Sequence, residues 1–215
     1  STPDPSFYFS TPGHDEALAA LEYAAVQREG LVLLTGEPGV GKTLIARMFL
    51  RRMESRARVA LLGSAQRSGR RLMAALCSEF ELHVPPDATP AQQAERLRSF
   101  LINQQAQGCP AIVLLDEAHS LPDESFETIS WLSNLEGEGA RLIQIFVFGR
   151  PELGDRFEWL GIGQLGQEGC RRVQLTGLTC AQTDVYIRHR LHVAGWSGGA
   201  LFTAGAVERI FADSR

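Results

Sequence analysis

The chain has few of the features that would assign it quickly to a special class. Its four cysteines, Cys77, Cys109, Cys170 and Cys180, include no C-x-x-C pair, which argues against a structural zinc site. Scattered thiols in a 215-residue chain suit reduced side chains and a cytosolic setting. No apolar run approaches the ~20 residues needed to span a bilayer, and the N-terminus lacks the basic-then-apolar pattern of a secretory leader. The segment is expected to be soluble and cytoplasmic, with any membrane attachment supplied by segments beyond Arg215. Neither sign of charge dominates: 21 Lys and Arg stand against 25 Asp and Glu, a net charge of −4. Such a balance gives no global attraction to nucleic acid or to an anionic membrane. Arg47, Arg51, Arg52, Arg56 and Arg58 cluster in sequence, and read as a solvated helix face followed by a turn. Internal repeats and low-complexity tracts are missing too, which excludes solenoids and disordered linkers.

What remains is 44% hydrophobic residues, ordinary for a globular core, arranged as strands and helices in alternation. That order predicts a parallel sheet with helices on both faces. Short apolar runs mark five strands: Leu31–Thr35, Val59–Leu62, Ala111–Leu115, Leu142–Phe148 and Arg172–Leu175. Helical spacing predicts helices over Asp15–Arg28, Lys42–Met53, Arg71–Phe80, Ala91–Gln107 and Asp123–Leu135. The stretch Gly161–Gly169 is glycine-rich and is expected to be mobile. Beyond Leu178 the strands stop, and Ala181–Val193 and Ala204–Ala212 read as helices. This divides the chain into a core over residues 1–178 and the start of a helical lid over 179–215.

Between the first strand and the helix that follows it lies Gly36-Glu37-Pro38-Gly39-Val40-Gly41-Lys42-Thr43, a full match to G-x-x-x-x-G-K-[ST]. Glycines allow the backbone to wrap phosphates closely. Successive N–H groups then form an anion nest, reinforced by the N-terminus of the next helix, which runs on into Leu44. Lys42 is expected to reach the β- and γ-phosphates of ATP, and the Thr43 hydroxyl to ligate Mg²⁺. The most apolar strand ends in Leu115-Asp116-Glu117. There Asp116 is placed to hold the magnesium shell, and Glu117 to act as general base on water. His119 completes Asp-Glu-Ala-His, and is expected to link the acidic site to the next helix.

With both motifs placed, nearly the whole chain resembles the ExeA-type (general secretion pathway protein A) AAA+ ATPases, which are related to TniB-like regulators of transposition. The resemblance runs through Phe7-Tyr8-Phe9-Ser10 with His14 and Ala17-Leu18, then Leu33-Leu34-Thr35-Gly36 and Leu114 to Ala118. It continues in Leu132-Ser133-Asn134-Leu135-Glu136, Leu142-Ile143-Gln144-Ile145, Gly149-Arg150-Pro151-Glu152-Leu153 and Tyr186-Ile187-Arg188-His189-Arg190-Leu191. It implies an α/β P-loop AAA+ core with a five-stranded parallel sheet, the start of a C-terminal helical lid, ATP and Mg²⁺ as ligands, and homo-oligomers joined through the ATP interface.

The resemblance also implies that the N-terminal aromatic segment lies near the adenine, making Phe9 and His14 candidate base contacts. The alternative is a strap packed on the core. Arg150 stands at the polar sensor position, where the family usually has Gln, and either senses the γ-phosphate or faces solvent. Ser64 stands where the family often has Asn. Gly166 and Glu168 replace arginines that act across a subunit interface, leaving Arg171 and Arg172 as substitutes. Three functions follow. The first is an ATPase that drives assembly of a secretion or other envelope complex at the cytoplasmic face of the inner membrane, working on a protein partner. The second is an ATP-dependent DNA-binding regulator, and the third a non-catalytic ATP switch.

Overall fold

The computed structural model describes residues 8–63, 69–137, 139–162 and 170–214. Phe7, Ser64, Gly166 and Glu168 lie outside these residues, as does most of the glycine-rich stretch Gly161–Gly169.

Five strands form one parallel sheet: β1 (Leu31–Thr35), β2 (Arg58–Leu62), β3 (Ala111–Leu115), β4 (Ile143–Gly149) and β5 (Arg171–Gln174). Their spatial order is β2-β3-β4-β1-β5, and every neighbouring pair is parallel. The alternation along each strand explains why these runs read as continuously apolar. Leu31, Leu33, Val113, Leu115, Ile145 and Val147 point into one core. Val32, Leu34, Ile112, Leu114, Phe146 and Phe148 point into the other. A strand buried on both faces has no polar side to display. The first core is closed by α3 (Gly69–Glu79), α4 (Pro90–Ala106), α5 (Asp123–Ser133) and α6 (Glu152–Trp159). The second is closed by α1 (Pro12–Val26) and α2 (Lys42–Met53), with Phe49 stacked on Phe146 at 4.9 Å between ring centroids. One polar side chain, Gln144, enters this second core, where its amide donates to Ala25 O at 3.1 Å.

The predicted elements are present, with differences at their ends. α1 starts at Pro12 rather than Asp15, because Thr11 caps it by accepting from His14 N. α5 stops at Ser133 rather than Leu135. Leu135 O instead accepts from Leu142 N, starting the approach to β4. The helix α6 was not anticipated. It occupies only eight residues and faces the core through Leu153 and Phe157 alone. After β5, α7 (Cys180–Val193) and α8 (Ala204–Asp213) pack on each other without a further strand among the described residues.

Candidate functional site

The sheet order brings the carboxyl ends of β1, β3 and β4 side by side, with β4 in the middle. Thr35, the last residue of β1, is level with Gly149 of β4, and Leu115 of β3 is level with Val147. Each strand therefore delivers its next residues to one crevice, the usual location of ligand sites in open parallel sheets.

From β1 the chain enters residues 36–43. Gly36 is buried, and its N–H donates to Gly149 O at 3.2 Å. A Cβ at this position would lie 2.5 Å from Leu175 O, so the close strand crossing needs glycine. Gly41 has φ +98°, in the left-handed region, and a Cβ there would meet His14 Nε2 at 2.9 Å. Gly41 also caps α2 without a side-chain hydrogen bond, which leaves the first N–H groups of the helix as donors. Glu37, Pro38 and Gly39 are exposed, and Val40 and Leu44 are half-buried. The Lys42 ammonium donates to Gly36 O and Glu37 O, both at 2.7 Å. Burial lowers the affinity of Lys42 for its proton, and the charge of Arg150 acts in the same direction, whereas Asp116, Glu37 and Glu117 oppose both.

Seventy-three residues further along the chain, Asp116 meets this loop. Thr43 Oγ1 donates to Asp116 Oδ2 at 2.7 Å, and the backbone N–H of Glu117 donates to Asp116 Oδ1 at 2.9 Å. Glu117 itself has φ 53° and ψ 34°, a left-handed conformation that is uncommon outside glycine. It is held there by Ser120, whose N–H and hydroxyl both donate to Glu117 O, at 3.0 and 2.8 Å. Glu117 is exposed.

His119 lies in the 3-10 turn Ala118–Ser120. Its backbone, rather than its ring, makes the link to neighbouring helices: His119 O accepts from Arg156 at 3.3 Å. Arg156 pairs with Asp123 at the start of α5. Arg150 follows β4 directly and is exposed beside the loop. Arg172 is not brought to these residues. It is level with Leu33 on the edge strand, roughly 10 Å short of Gly36 at strand rise, and its guanidinium pairs with Glu158.

The N-terminal segment touches both the phosphate loop and α7. His14 is buried, and its Nε2 lies 2.9 Å from Val40 O. A carbonyl only accepts, so Nε2 carries the proton and Nδ1 accepts from the Thr11 hydroxyl at 2.5 Å. Phe9 packs instead on α7, with ring centroids 5.8 Å from Tyr186 and 5.5 Å from His189. Sequence reasoning assigned no role to Thr11, Tyr186 or His189. The Thr-Pro pair ahead of an apolar periodicity is a cap signature that would have found the first, while the other two depend on tertiary contact.

Tyr8 adds a titratable anchor. Its hydroxyl donates to Asp15 Oδ1 at 3.1 Å. Burial, then the hydrogen bond and charge of Asp15, push its pKa up from 10.0 to about 12. The folded value is raised, so the contribution to stability is complete below pH 10 and is lost as pH rises through about 12. A tyrosinate-absorbance titration, differenced against Tyr8→Phe, should show one phenol ionising late. A difference curve centred on the ordinary tyrosine value would contradict this.

Sequence comparison matches residues 25–157 to the AAA domain family. The chain belongs to the AAA+ ATPase family. This AAA+ chain is 35% identical over 194 residues to general secretion pathway protein A of Aeromonas hydrophila, a match that covers 90% of the chain but 36% of that protein. Among solved structures, Cdc6p from Pyrobaculum aerophilum superposes with a TM-score of 0.68 at 16% identity, over 97% of this chain and 57% of that one. Aeropyrum pernix ORC1, solved in complex with DNA, gives 0.66 at 20% identity, over 86% and 51%. A Walker-type ATPase of Pyrococcus abyssi gives 0.64 at 15%, over 96% and 66%. At these identities the likeness establishes the five-stranded P-loop fold. The AAA+ chain thus spans about a third of its curated relative and half to two-thirds of these structures. Among its described residues, no helix is long and apolar enough to cross a membrane.

Proposed function

We propose that the chain binds Mg·ATP over residues 36–43 and hydrolyses it, and that hydrolysis drives assembly of a secretion or other envelope complex. The observation that carries the nucleotide reading is the 2.7 Å contact between the Thr43 hydroxyl and the Asp116 carboxylate. It joins two hard oxygen donors, from motifs far apart in sequence, beside the lysine. Such a pair fits magnesium, which takes oxygen ligands and when bound neutralises charge on the β- and γ-phosphates.

In this reading the N–H groups of the loop and of the first turn of α2 face the phosphates. Lys42 exchanges its two carbonyl partners for phosphate oxygens. Glu117 accepts the proton of the attacking water. Phe9 and His14, at the two ends of one segment, border the space for the base. Arg150, which directly follows β4, is the cation proposed to act on transition-state charge, whereas Arg172 is held by Glu158. Residues from Thr179 onward open a helical lid, and copies assemble through the ATP interface. The likeness to general secretion pathway protein A supports the secretion role, a protein partner and placement at the cytoplasmic face of the inner membrane.

Thr43→Ala tests the site. Phosphate release should lose at least about tenfold of its magnesium stimulation, as expected for removal of one hydrogen-bonding group from a charged site. ATP binding without magnesium should persist. Magnesium stimulation equal to that of the parent chain would refute the assignment of this oxygen pair.

A further inference from the structure

At the end of the sheet opposite the crevice, a recess opens at the amino ends of β3 and β4, where Ala111 is level with Ile143. Arg28, Gln105, Pro110, Arg141, Leu142 and Gln144 line it. The charged groups on its wall are both guanidinium groups, and among the described residues no carboxylate lines it. Glu29, next to Arg28 in sequence, is taken by Arg171. Glu136 meets Arg141 through a backbone bridge, while the Arg141 guanidinium donates to Ser133 O.

Local structure fixes this wall. Arg28 follows α1 in a left-handed conformation with φ 55°, at the place where helices usually carry glycine. Its N–H donates to Ala25 O at 3.3 Å, and that of Glu29 to Ala24 O at 3.0 Å, so the turn closes around an arginine. The Arg28 side chain is exposed and makes no hydrogen bond or ion pair with another described residue. Arg141 lies across Gly30, where a Cβ would collide with its side chain. Carbonyls at the ends of α1 and α5, which would disfavour an anion, are met by Gln144 and Arg141. Gln144 is 2% exposed. Its Nε2 is spent on Ala25 O, and its Oε1 has no hydrogen-bond partner among the described residues. A buried carbonyl left without a donor is costly.

We propose that this recess binds the free carboxyl terminus of a partner polypeptide. The terminal carboxylate supplies the negative charge that the wall lacks, and guanidinium groups suit carboxylates in charge and shape. The amide nitrogen of the same terminal residue, two bonds from the carboxyl carbon, brings the N–H donor that Gln144 Oε1 lacks. An apolar terminal side chain fits beside Pro110 and Leu142. A nucleic-acid phosphate or an inorganic anion supplies the charge with no such donor next to it. The recess and residues 36–43 lie at opposite ends of the sheet, so the proposal does not depend on the nucleotide reading.

Three small probes separate the contributions. N-acetyl-leucine carries both groups, N-acetyl-leucine amide lacks the carboxylate, and N-acetyl-N-methyl-leucine lacks the N–H. Titrated into the isotope-labelled 215-residue chain, N-acetyl-leucine should shift the Arg28 backbone amide and the Gln144 side-chain amide together in NMR spectra. The amide should bind at least about tenfold more weakly, as expected for loss of a charged partner, and the N-methyl probe about three- to tenfold more weakly. Arg28→Gln should weaken N-acetyl-leucine about tenfold with thermal stability unchanged, and Arg28→Lys should recover part of the loss. Equal binding of the amide would reduce the recess to an apolar dent and overturn the proposal. Acetate or the N-methyl probe binding as well as N-acetyl-leucine would leave an anion site with no use for the N–H, which also overturns it. Shifts at these residues from a DNA duplex but not from N-acetyl-leucine would assign the surface to nucleic acid instead. No shift at about 20 mM N-acetyl-leucine, well above the millimolar dissociation constant expected for so small a ligand, would overturn it outright.

Discussion

Lys42→Ala should weaken ATP binding about 10²- to 10³-fold. The ammonium is the only lysine in the loop and would meet two phosphate groups. Each charge-assisted hydrogen bond contributes about 1.5–3 kcal/mol, and 1.4 kcal/mol is a factor of ten. Lys42 bridges Gly36 O and Glu37 O, so the truncation also removes a brace from the loop. That cost is limited, because Glu37 is exposed and water replaces the lost donor. The folded state should survive, which thermal unfolding of the variant would verify. Isothermal titration with ATP and magnesium reads the main effect. Lys42→Arg should restore little, since a planar fork does not reproduce a compact point charge between two carbonyls. Undiminished affinity in Lys42→Ala would remove the foundation of the nucleotide assignment.

Glu117→Gln should leave that affinity within about threefold and lower turnover about 10²- to 10⁴-fold, the range of a lost general base. The substitution keeps the shape of the side chain and removes its capacity to take a proton. The backbone at φ 53° is no harder for Gln than for Glu. The two hydrogen bonds from Ser120 to Glu117 O are untouched, as is the donation of the residue 117 N–H to Asp116. Single-turnover phosphate release, with nucleotide affinity measured beside it, separates the two effects. Turnover that persists at the parent rate would mean that another group, or water alone, accepts the proton.

The parts of the molecule that sequence disclosed are those encoded over short stretches. The strands were legible because burial on both sheet faces removes polar residues from consecutive positions, as along Ala111–Leu115. The phosphate loop was legible because its glycines, lysine and threonine are contiguous. The order β2-β3-β4-β1-β5 was not legible, since strand spacing alone leaves the crossovers undetermined. The helix α6 escaped notice because eight residues with Gly154 inside give too little periodicity, and Leu153 and Phe157 are its only buried positions. The ends of the N-terminal segment were beyond reach for another reason. His14 meets Val40 twenty-six residues away, and Phe9 meets α7, contacts that no local pattern records. Arg172 read as available on sequence because its partner, Glu158, belongs to the helix that was missed.

The segment from Phe9 to His14 also sets a mechanical limit. One end is fastened beneath the phosphate loop through His14 and Val40, and the other rests against Tyr186 and His189. Only Ser10 and Thr11 lie between Phe9 and Pro12, where α1 begins, and three fully extended residue steps reach about 10 Å. It is a leash of fixed reach. Any displacement of α7 larger than this leash permits would require the aromatic ring to let go of Tyr186 and His189 first.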